Sequence, residues 1–351
     1  MRLRPNKRAS WLALAFLLGC SRSGLDFDLS GTVSAAPDSA APATHPDASR
    51  DFRPCSFSGP TLVASAGSDI DSIALDDASV YWTSFDDGQI YKAPKTGGGA
   101  VVDLASSGAN PEGLAVSGGY AYWTDFNANT ISRVPVGGGD VEVLASGQDG
   151  ADSVVVDGDF VYWTNYRGGG SVARCPIGGG TTEILDQEEG PYVQIASDGP
   201  RVFWSSQGGT ITSFDVATKA TAVVAHPVTG GTIWSLATDG TNLYWSEVFS
   251  EDRVSIVEAP IGGGGASVMA FVAYDPSSCP GPGGGGCESG LATDGENLYV
   301  AVDGVGAVES VAVASASEET IASSGAWLGI GVDDACVYWS TVQGAIMGAP
   351  R

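Results

Sequence analysis

The sequence predicts an all-β fold in which one small unit is repeated seven times around a ring. The first observation is an aromatic-rich tetrad of the type Tyr-Trp-Thr/Ser-polar, which recurs seven times: six copies begin at Tyr81, Tyr122, Tyr162, Phe203, Tyr244 and Tyr338, and a degenerate copy begins at Tyr299. The second is its spacing, because successive copies are 41, 40, 41, 41, 55 and 39 residues apart. The third is that short β-type runs and glycine-rich turns flank each copy. A period of about 40 residues is typical of a β-propeller, so we expect seven blades of four antiparallel strands.

Residues 110–147 show how one repeat forms one blade. The short apolar run 113–116 predicts an inner strand, and a glycine turn leads to an aromatic-rich second strand at 120–124. Alternating residues predict the third and outer strands at 130–134 and 141–144. The glycine triplets between strands three and four lack a following helix and a Lys-Ser/Thr pair, so we interpret them as hairpin turns rather than phosphate-binding loops.

The tetrad tryptophans are expected to be structural. A ring that recurs once per blade at a fixed position is expected to pack between neighbouring sheets, where it buries a large apolar area. Trp234 and Trp327 break this pattern, because they lie just before the predicted inner strands. We therefore regard these two residues as candidates for a binding surface.

Closure of the ring can also be predicted. The seventh repeat reaches only a third strand before residue 351, whereas 61–65 matches the outer strand at 101–106 of the next repeat. We expect the N-terminal strand to complete the last blade and to cover an edge that would otherwise stay unpaired. This arrangement brings Cys55 towards Cys336 and makes them a candidate disulfide.

The other cysteines have different predicted roles. Cys279 and Cys287 flank a Gly/Pro-rich loop that a second disulfide would close, and export would let such bridges persist. Cys175 aligns with apolar residues of neighbouring repeats and is expected to be a buried thiol. None of these spacings is typical of a zinc site.

The N-terminal segment predicts export and anchoring. Residues 1–19 combine a basic start with a short apolar run, and they end at Cys20 in a pattern that resembles a bacterial lipobox. Residues 20–54 are rich in Ser, Ala, Pro and Asp and predict a disordered tether. We therefore expect a lipoprotein signal peptide, a lipidated Cys20, and a propeller at 55–351 that is held at a membrane of the cell envelope.

The charge excludes one class of partner. The chain carries a formal charge of −25, so it lacks the excess of lysine and arginine that nucleic acid binding requires. No nucleic acid partner is expected, and the domain is expected to act as a monomer.

Two regions are candidates for function. The residues that begin the inner strands should surround one mouth of the central channel, and alignment of the repeats places there Asp71, Glu112, Asp152, Val193 with Gln194, Trp234, Ser289 and Leu328. Carboxylates from three consecutive blades suit a hard cation such as calcium. The alternative is that these residues form a solvated polar rim. The sixth repeat carries about fourteen extra residues, which are either a recognition loop or a silent insertion.

Residues 110–116, followed by Tyr122, Trp123, Thr124, Asp125 and Ile131, resemble the YWTD repeats of the low-density-lipoprotein receptor class. The resemblance covers roughly residues 61–351 and implies a propeller with a protein- or ligand-binding role. The chain departs from the pattern in two ways: only one tetrad keeps the final Asp, and there are seven repeats where that class has six.

Two functions are therefore open. The first is a non-catalytic binding or scaffold module with an unknown protein or small-molecule ligand and no cofactor beyond calcium. The second is a metal-dependent hydrolase or lyase of the lactonase or streptogramin-lyase type, with its site at the channel mouth. The two histidines, His45 in the tether and His226 in a connection, form no Ser-His-Asp arrangement, which favours binding.

Overall fold

The computed structural model describes residues 55–187, 190–206, 208–250, 253–273, 289–302, 306–323 and 325–351, and there every regular element is a β-strand. The strands form seven antiparallel sheets of four strands each, as the repeats predict. No helix that could span a bilayer occurs in this part of the chain. The predicted signal peptide, Cys20, the tether and the pair Cys279 and Cys287 lie outside the described residues and stay predictions.

Each of the first six blades is a simple up-and-down sheet in chain order. The strands of the first three blades are β2 (Ile73–Leu75), β3 (Ser79–Ser84), β4 (Gln89–Pro94), β5 (Val102–Ser106); β6 (Pro111–Ser117), β7 (Tyr120–Asp125), β8 (Thr130–Pro135), β9 (Glu142–Ser146); β10 (Ala151–Asp157), β11 (Phe160–Asn165), β12 (Ser171–Pro176) and β13 (Glu183–Asp186). Those of the next three are β14 (Tyr192–Ser197), β15 (Arg201–Ser206), β16 (Ile211–Asp215), β17 (Thr221–Ala225); β18 (Thr232–Thr238), β19 (Asn242–Ser250), β20 (Arg253–Pro260), β21 (Ser267–Ala273); β22 (Ser289–Thr293), β23 (Asn297–Val302), β24 (Ala307–Ala312) and β25 (Glu318–Ala322).

The seventh blade joins the two ends of the domain. It contains β26 (Ala326–Val332), β27 (Cys336–Thr341), β28 (Ala345–Pro350) and, as its outer strand, β1 (Thr61–Ser65). β1 pairs antiparallel with β28, and a disulfide links Cys55 to Cys336 across a sequence separation of 281 residues. The predicted closure by the N-terminal strand and the predicted bridge are both confirmed.

The inner strands surround the channel. Each contacts the inner strand of the next blade, from β2 through β6, β10, β14, β18, β22 and β26, and β26 contacts β2 again. Blades one to three therefore lie side by side on one part of the ring, and blades four to seven complete it.

The tetrad holds neighbouring blades together through the alternation of a β-strand, which places successive side chains on opposite faces. Its first residue packs towards the following blade and its second towards the preceding one. The resulting interfaces pair Tyr81 with Trp123, Tyr122 with Trp163, Tyr162 with Trp204, Phe203 with Trp245, Tyr244 with Val300, Tyr299 with Trp339 and Tyr338 with Trp82. The six tetrad tryptophans are almost completely buried, which confirms their structural role.

The tyrosine hydroxyl also ties the tetrad to the preceding hairpin turn. Tyr81 donates to the carboxylate of Asp76 at 2.5 Å, and Asp76 in turn accepts the backbone N–H groups of Ala78 and Ser79. Tyr244 with Asp239 and Tyr299 with Asp294 repeat the bond at 2.8 Å. The aspartate of the turn thus satisfies backbone donors and a buried phenol together.

Cys175 is a free thiol on β12 and is completely buried, as its alignment with apolar residues predicts. Burial raises its pKa to about 11, so the thiol stays protonated at neutral pH. It fills a core position between blades two and three.

Candidate functional site

The third residue of the tetrad positions the inner strand of the next blade. The Thr83 hydroxyl donates to the backbone carbonyl of Glu112 at 2.9 Å, and the Thr164 hydroxyl donates to that of Val193 at 3.4 Å. Between them in the ring, the Thr124 hydroxyl donates to the carbonyl of Asp152. Each acceptor is one of the residues that the repeat alignment places at the channel mouth.

The same hydroxyls accept a backbone N–H from the inner strand of their own blade or from the residue just before it. Thr83 accepts from Ser72 at 3.2 Å, and Thr124 accepts from Gly113 at 2.8 Å. This bond takes an N–H away from the strand ladder, and the pairing of β6 with β7 shifts register at that point. A register shift of this kind directs a residue away from the regular ladder.

The sixth blade lacks both the tetrad hydroxyl and the register shift. Its tetrad has Ala301 in place of Thr or Ser, and the pairing of β22 with β23 runs without a register shift from Ser289 to Thr293. Blades two, three, four, five and seven, whose tetrads keep Thr or Ser, all shift register at the mouth residue. The hydroxyl of the tetrad and the irregular inner strand therefore occur together.

A cavity of about 450 Å³ lies at this mouth of the channel. It is lined by every residue that the repeat alignment predicts, namely Asp71, Glu112, Asp152, Val193, Gln194, Trp234, Ser289 and Leu328. These residues come from all seven inner strands or from the turns that lead into them. The volume is within the range of small-molecule sites, about 300–1,000 Å³.

The lining is divided by charge. We call Asp71, Glu112 and Asp152, from blades one to three, the acidic wall, and Val193, Trp234 and Leu328, from blades four, five and seven, the apolar wall. No lysine, arginine or histidine is among the described residues that line the cavity. Because the blades follow one another around the ring, the two walls occupy different parts of the mouth.

Trp234 reaches the cavity through a bulge. β18 pairs with β19 through Ile233 and Ser235, and Trp234 between them is the extra residue without a partner in the ladder. The sequence predicts that Trp234 and Trp327 lie just before their inner strands. In the structure both lie within these strands, in β18 and β26. The reason is that these strands continue past the bulge towards the mouth. The side chain of Trp327 lies outside the described part of the structure.

Two aromatic residues at the cavity escape the sequence analysis. Phe126 and Tyr166 follow the tetrads of blades two and three, line the cavity, and have ring centroids 6.3 Å apart. Their backbone N–H groups bond to the carbonyls of Asn110 and Gly150, which fixes the loops that carry them. The available signal is that an aromatic residue follows the tetrad in the first three repeats only, at Phe85, Phe126 and Tyr166.

The described residues contain no group of three or more His, Cys, Asp or Glu side chains arranged to hold a metal ion. The acidic wall therefore lines the cavity without forming such a group, and calcium binding stays a prediction. The extra residues of the sixth repeat lie largely in 274–288, outside the described residues.

His226 lies in the connection that follows β17. Its side chain is exposed and lines a second, smaller depression with Val223, Val228 and Gly264. It is not among the residues that line the central cavity.

No protein-family model matches the chain, and no curated protein matches it either. Among solved structures, a streptogramin B lyase matches at 14% identity with a TM-score of 0.64, covering 82% of this chain and 96% of the lyase. Virginiamycin B lyase from Staphylococcus aureus matches at 14% and 0.64, covering 83% and 98%. The computationally designed Ika8 protein matches at 10% and 0.57, also covering 83% and 98%. At such identities the likeness concerns the fold alone, and the chain shares a β-propeller architecture with these proteins.

Proposed function

We propose that the protein is a non-catalytic, lipid-anchored binding module of the cell envelope whose ligand docks in the central cavity. The observation that carries the proposal is the cavity itself, where carboxylates, an amide and aromatic rings converge from consecutive blades. A concave site with an apolar part and a few polar groups is the usual form of a ligand site. The YWTD resemblance supports the same role by analogy.

The alternative is a lyase, because two of the similar structures are lyases of the streptogramin and virginiamycin B type. A virginiamycin B lyase in which one histidine is replaced by alanine is described as catalytically inactive, and its structure contains quinupristin. In this chain His226 lies in the second depression, and His45 lies in the predicted tether. The central cavity therefore lacks, among its described residues, the side chain whose loss inactivates that enzyme, and this favours binding.

The anchor belongs to the proposal. The basic start, the apolar run before Cys20 and the tether to residue 54 support attachment through a lipid. Its test is expression in a bacterium with radiolabelled palmitate, followed by membrane fractionation. Label and membrane association are expected for the natural chain and are expected to be lost in Cys20→Ala. A Cys20→Ala variant that keeps its label would contradict the anchor.

The binding role is tested by soaking crystals of the protein with a library of small aromatic and polar fragments. Fragments are expected to collect in the central cavity, and fewer are expected there in Trp234→Ala. Val228→Ala, at the second depression, is the matched control. In parallel, quinupristin is incubated with the protein, with and without divalent cations, and its mass is followed. No conversion is expected, and a conversion that the protein catalyses would overturn the proposal in favour of the lyase.

A further inference from the structure

The charge of the cavity specifies its ligand more closely than the fold does. Three of its described lining residues are acidic and none is basic, in a chain whose formal charge is −25. A concave site with one sign of charge and apolar walls concentrates the electric field and attracts ions of the opposite sign. An anionic ligand is disfavoured by the same field.

The carboxylates of the acidic wall are carried by backbone that is held in place. Glu112 and Asp152 are the residues whose carbonyl groups accept the Thr83 and Thr124 hydroxyls. The second and third blades also approach closely here, because a Cβ atom placed on Gly113 would lie 2.5 Å from the carbonyl oxygen of Asp152. The two acidic residues thus begin neighbouring inner strands whose relative position is rigidly set.

Aromatic rings flank the same wall. Phe126 and Tyr166 line the cavity from blades two and three, and the Arg167 guanidinium lies 4.1 Å from the Phe126 ring centroid. Arg167 also donates to the side-chain oxygen of Asn127 at 2.8 Å. One ring of the cavity rim therefore already stacks with a cation of the chain itself, as the quadrupole of an aromatic face favours.

The rest of the lining suits an apolar group. Trp234 projects from its bulge on the fifth blade, and Val193 and Leu328 lie on the fourth and seventh. A ligand that fills the cavity contacts carboxylates on one part of the mouth and apolar surface on the other.

We propose that the central cavity binds an amphipathic organic cation, with an ammonium or guanidinium group against the acidic wall and an apolar body against Trp234. The inference rests on the proposed binding function and names the ligand class of that site. A free aromatic amine and a lysine or arginine side chain of a peptide share this chemistry, and the experiment separates the two sources.

The test is calorimetric titration of the purified protein with four matched probes at low ionic strength. Tryptamine is the free amine, and N-acetyl-Trp-Lys-amide carries the cation on a peptide. N-acetyltryptamine is the neutral control and indole-3-propionate the anionic one. At least one cation is expected to bind about tenfold more tightly than the neutral and anionic probes, and added salt is expected to weaken that preference. The tighter of the two cations identifies the source.

Variants separate the proposed binding function of the cavity from the inference that its ligand is a cation. Glu112→Gln is expected to reduce cation binding several-fold and to leave the neutral probe unchanged, whereas Asp140→Asn, an equal charge change at an exposed hairpin, is expected to alter neither. Equal binding of all probes that is weakened by Trp234→Ala would overturn the cation inference and keep the cavity as a binding site. Cation binding that neither Glu112→Gln nor Trp234→Ala weakens would place the site elsewhere and overturn both proposals. If neither cation binds, the inference fails, and the fragment soaks decide the binding function independently.

Discussion

The hydroxyl of Thr83 in the first blade donates a hydrogen bond of 2.9 Å to the backbone carbonyl of Glu112 in the second. The same oxygen accepts the backbone N–H of Ser72, just before β2, at 3.2 Å, so one side chain joins two blades. Thr83 faces the following blade because it lies two residues after Tyr81, on the same face of β3. A residue that marks the repeat in the sequence thus also places an acidic residue at the cavity.

The bridge formed by Thr124 is expected to contribute measurably to stability. Thr124 is completely buried and bonds both Gly113 and Asp152. Thr124→Val keeps the shape of the side chain but removes the hydroxyl that bonds the Gly113 N–H and the Asp152 carbonyl. The loss is expected to lower the free energy of unfolding by about 1–3 kcal/mol. Urea unfolding measures the change.

The control for this prediction is Thr181→Val, the same substitution at an exposed residue, for which almost no change is expected. An unfolding free energy of Thr124→Val equal to that of the natural protein would show that the bridge contributes nothing.

The disulfide is expected to stabilise the closed ring. Cys55 and Cys336 are 281 residues apart, and a crosslink that closes so long a loop restricts the unfolded chain strongly. Cys55→Ala is expected to lower the free energy of unfolding by roughly 2–5 kcal/mol. The measurement is the urea midpoint of each protein with and without a reductant.

Reduction is expected to destabilise the natural protein more than Cys55→Ala, because the variant has already lost this bridge. Equal losses in the two proteins would mean that reductant acts elsewhere and that the bridge between the chain ends is unimportant.

Acid is expected to weaken the hairpin turn of the first blade. Burial raises the pKa of Asp76, but the hydrogen bonds from Tyr81 and from the N–H groups of Ala78 and Ser79, together with nearby Lys92, outweigh burial and leave the pKa below its ordinary value of 3.8. A depressed pKa means that the ionised carboxylate stabilises the fold above about pH 4 and that this contribution is lost as the pH falls through the lowered pKa.

Asp76→Asn is therefore expected to lower the melting temperature at pH 7, and its difference from the natural protein should shrink near pH 2.5. Melting curves at the two pH values measure this. Asp77→Asn, which removes the same charge at the exposed neighbour, is the control. A constant difference for Asp76→Asn at both pH values would mean that its ionisation is unrelated to stability.

Titration with calcium tests the hard-cation site that the sequence predicts at the channel mouth. No group of three metal-binding side chains occurs among the described residues, although Asp71, Glu112 and Asp152 line one cavity. A calcium site there would give micromolar binding in calorimetric titration, and no binding would leave the acidic wall as a solvated polar rim. Micromolar binding that disappears when these three residues are replaced by alanine would place an ion at the mouth and would favour the metal-dependent lyase.

The fold was predictable because its determinants are local and repeated. A tetrad that alternates Tyr, Trp and Thr requires a strand with two buried faces, and seven copies at near-constant spacing require seven equivalent sheets. The match between 61–65 and the other outer strands was sufficient to predict the pairing of β1 with β28, and with it the disulfide. The mouth residues followed from alignment of the repeats, since equivalent positions in a ring share one end of the channel.

The remaining features depend on contacts between blades, which the pattern within one repeat does not contain. The bond from Thr83 to Glu112 joins residues 29 positions apart, and its geometry exists only when two inner strands lie side by side. The contribution of Phe126 and Tyr166 to the cavity depends on how their loops fold back towards the mouth.

The sequence alone determined the repeat, the number of blades, the closure of the ring and which residues surround the channel, because each of these follows from strand periodicity and from symmetry. The tertiary structure decided that Trp234 enters the cavity through a bulge and that acidic and apolar residues form separate walls. The physical reason is that a strand pattern specifies which face a side chain occupies, whereas the packing of one blade against the next specifies what that side chain meets.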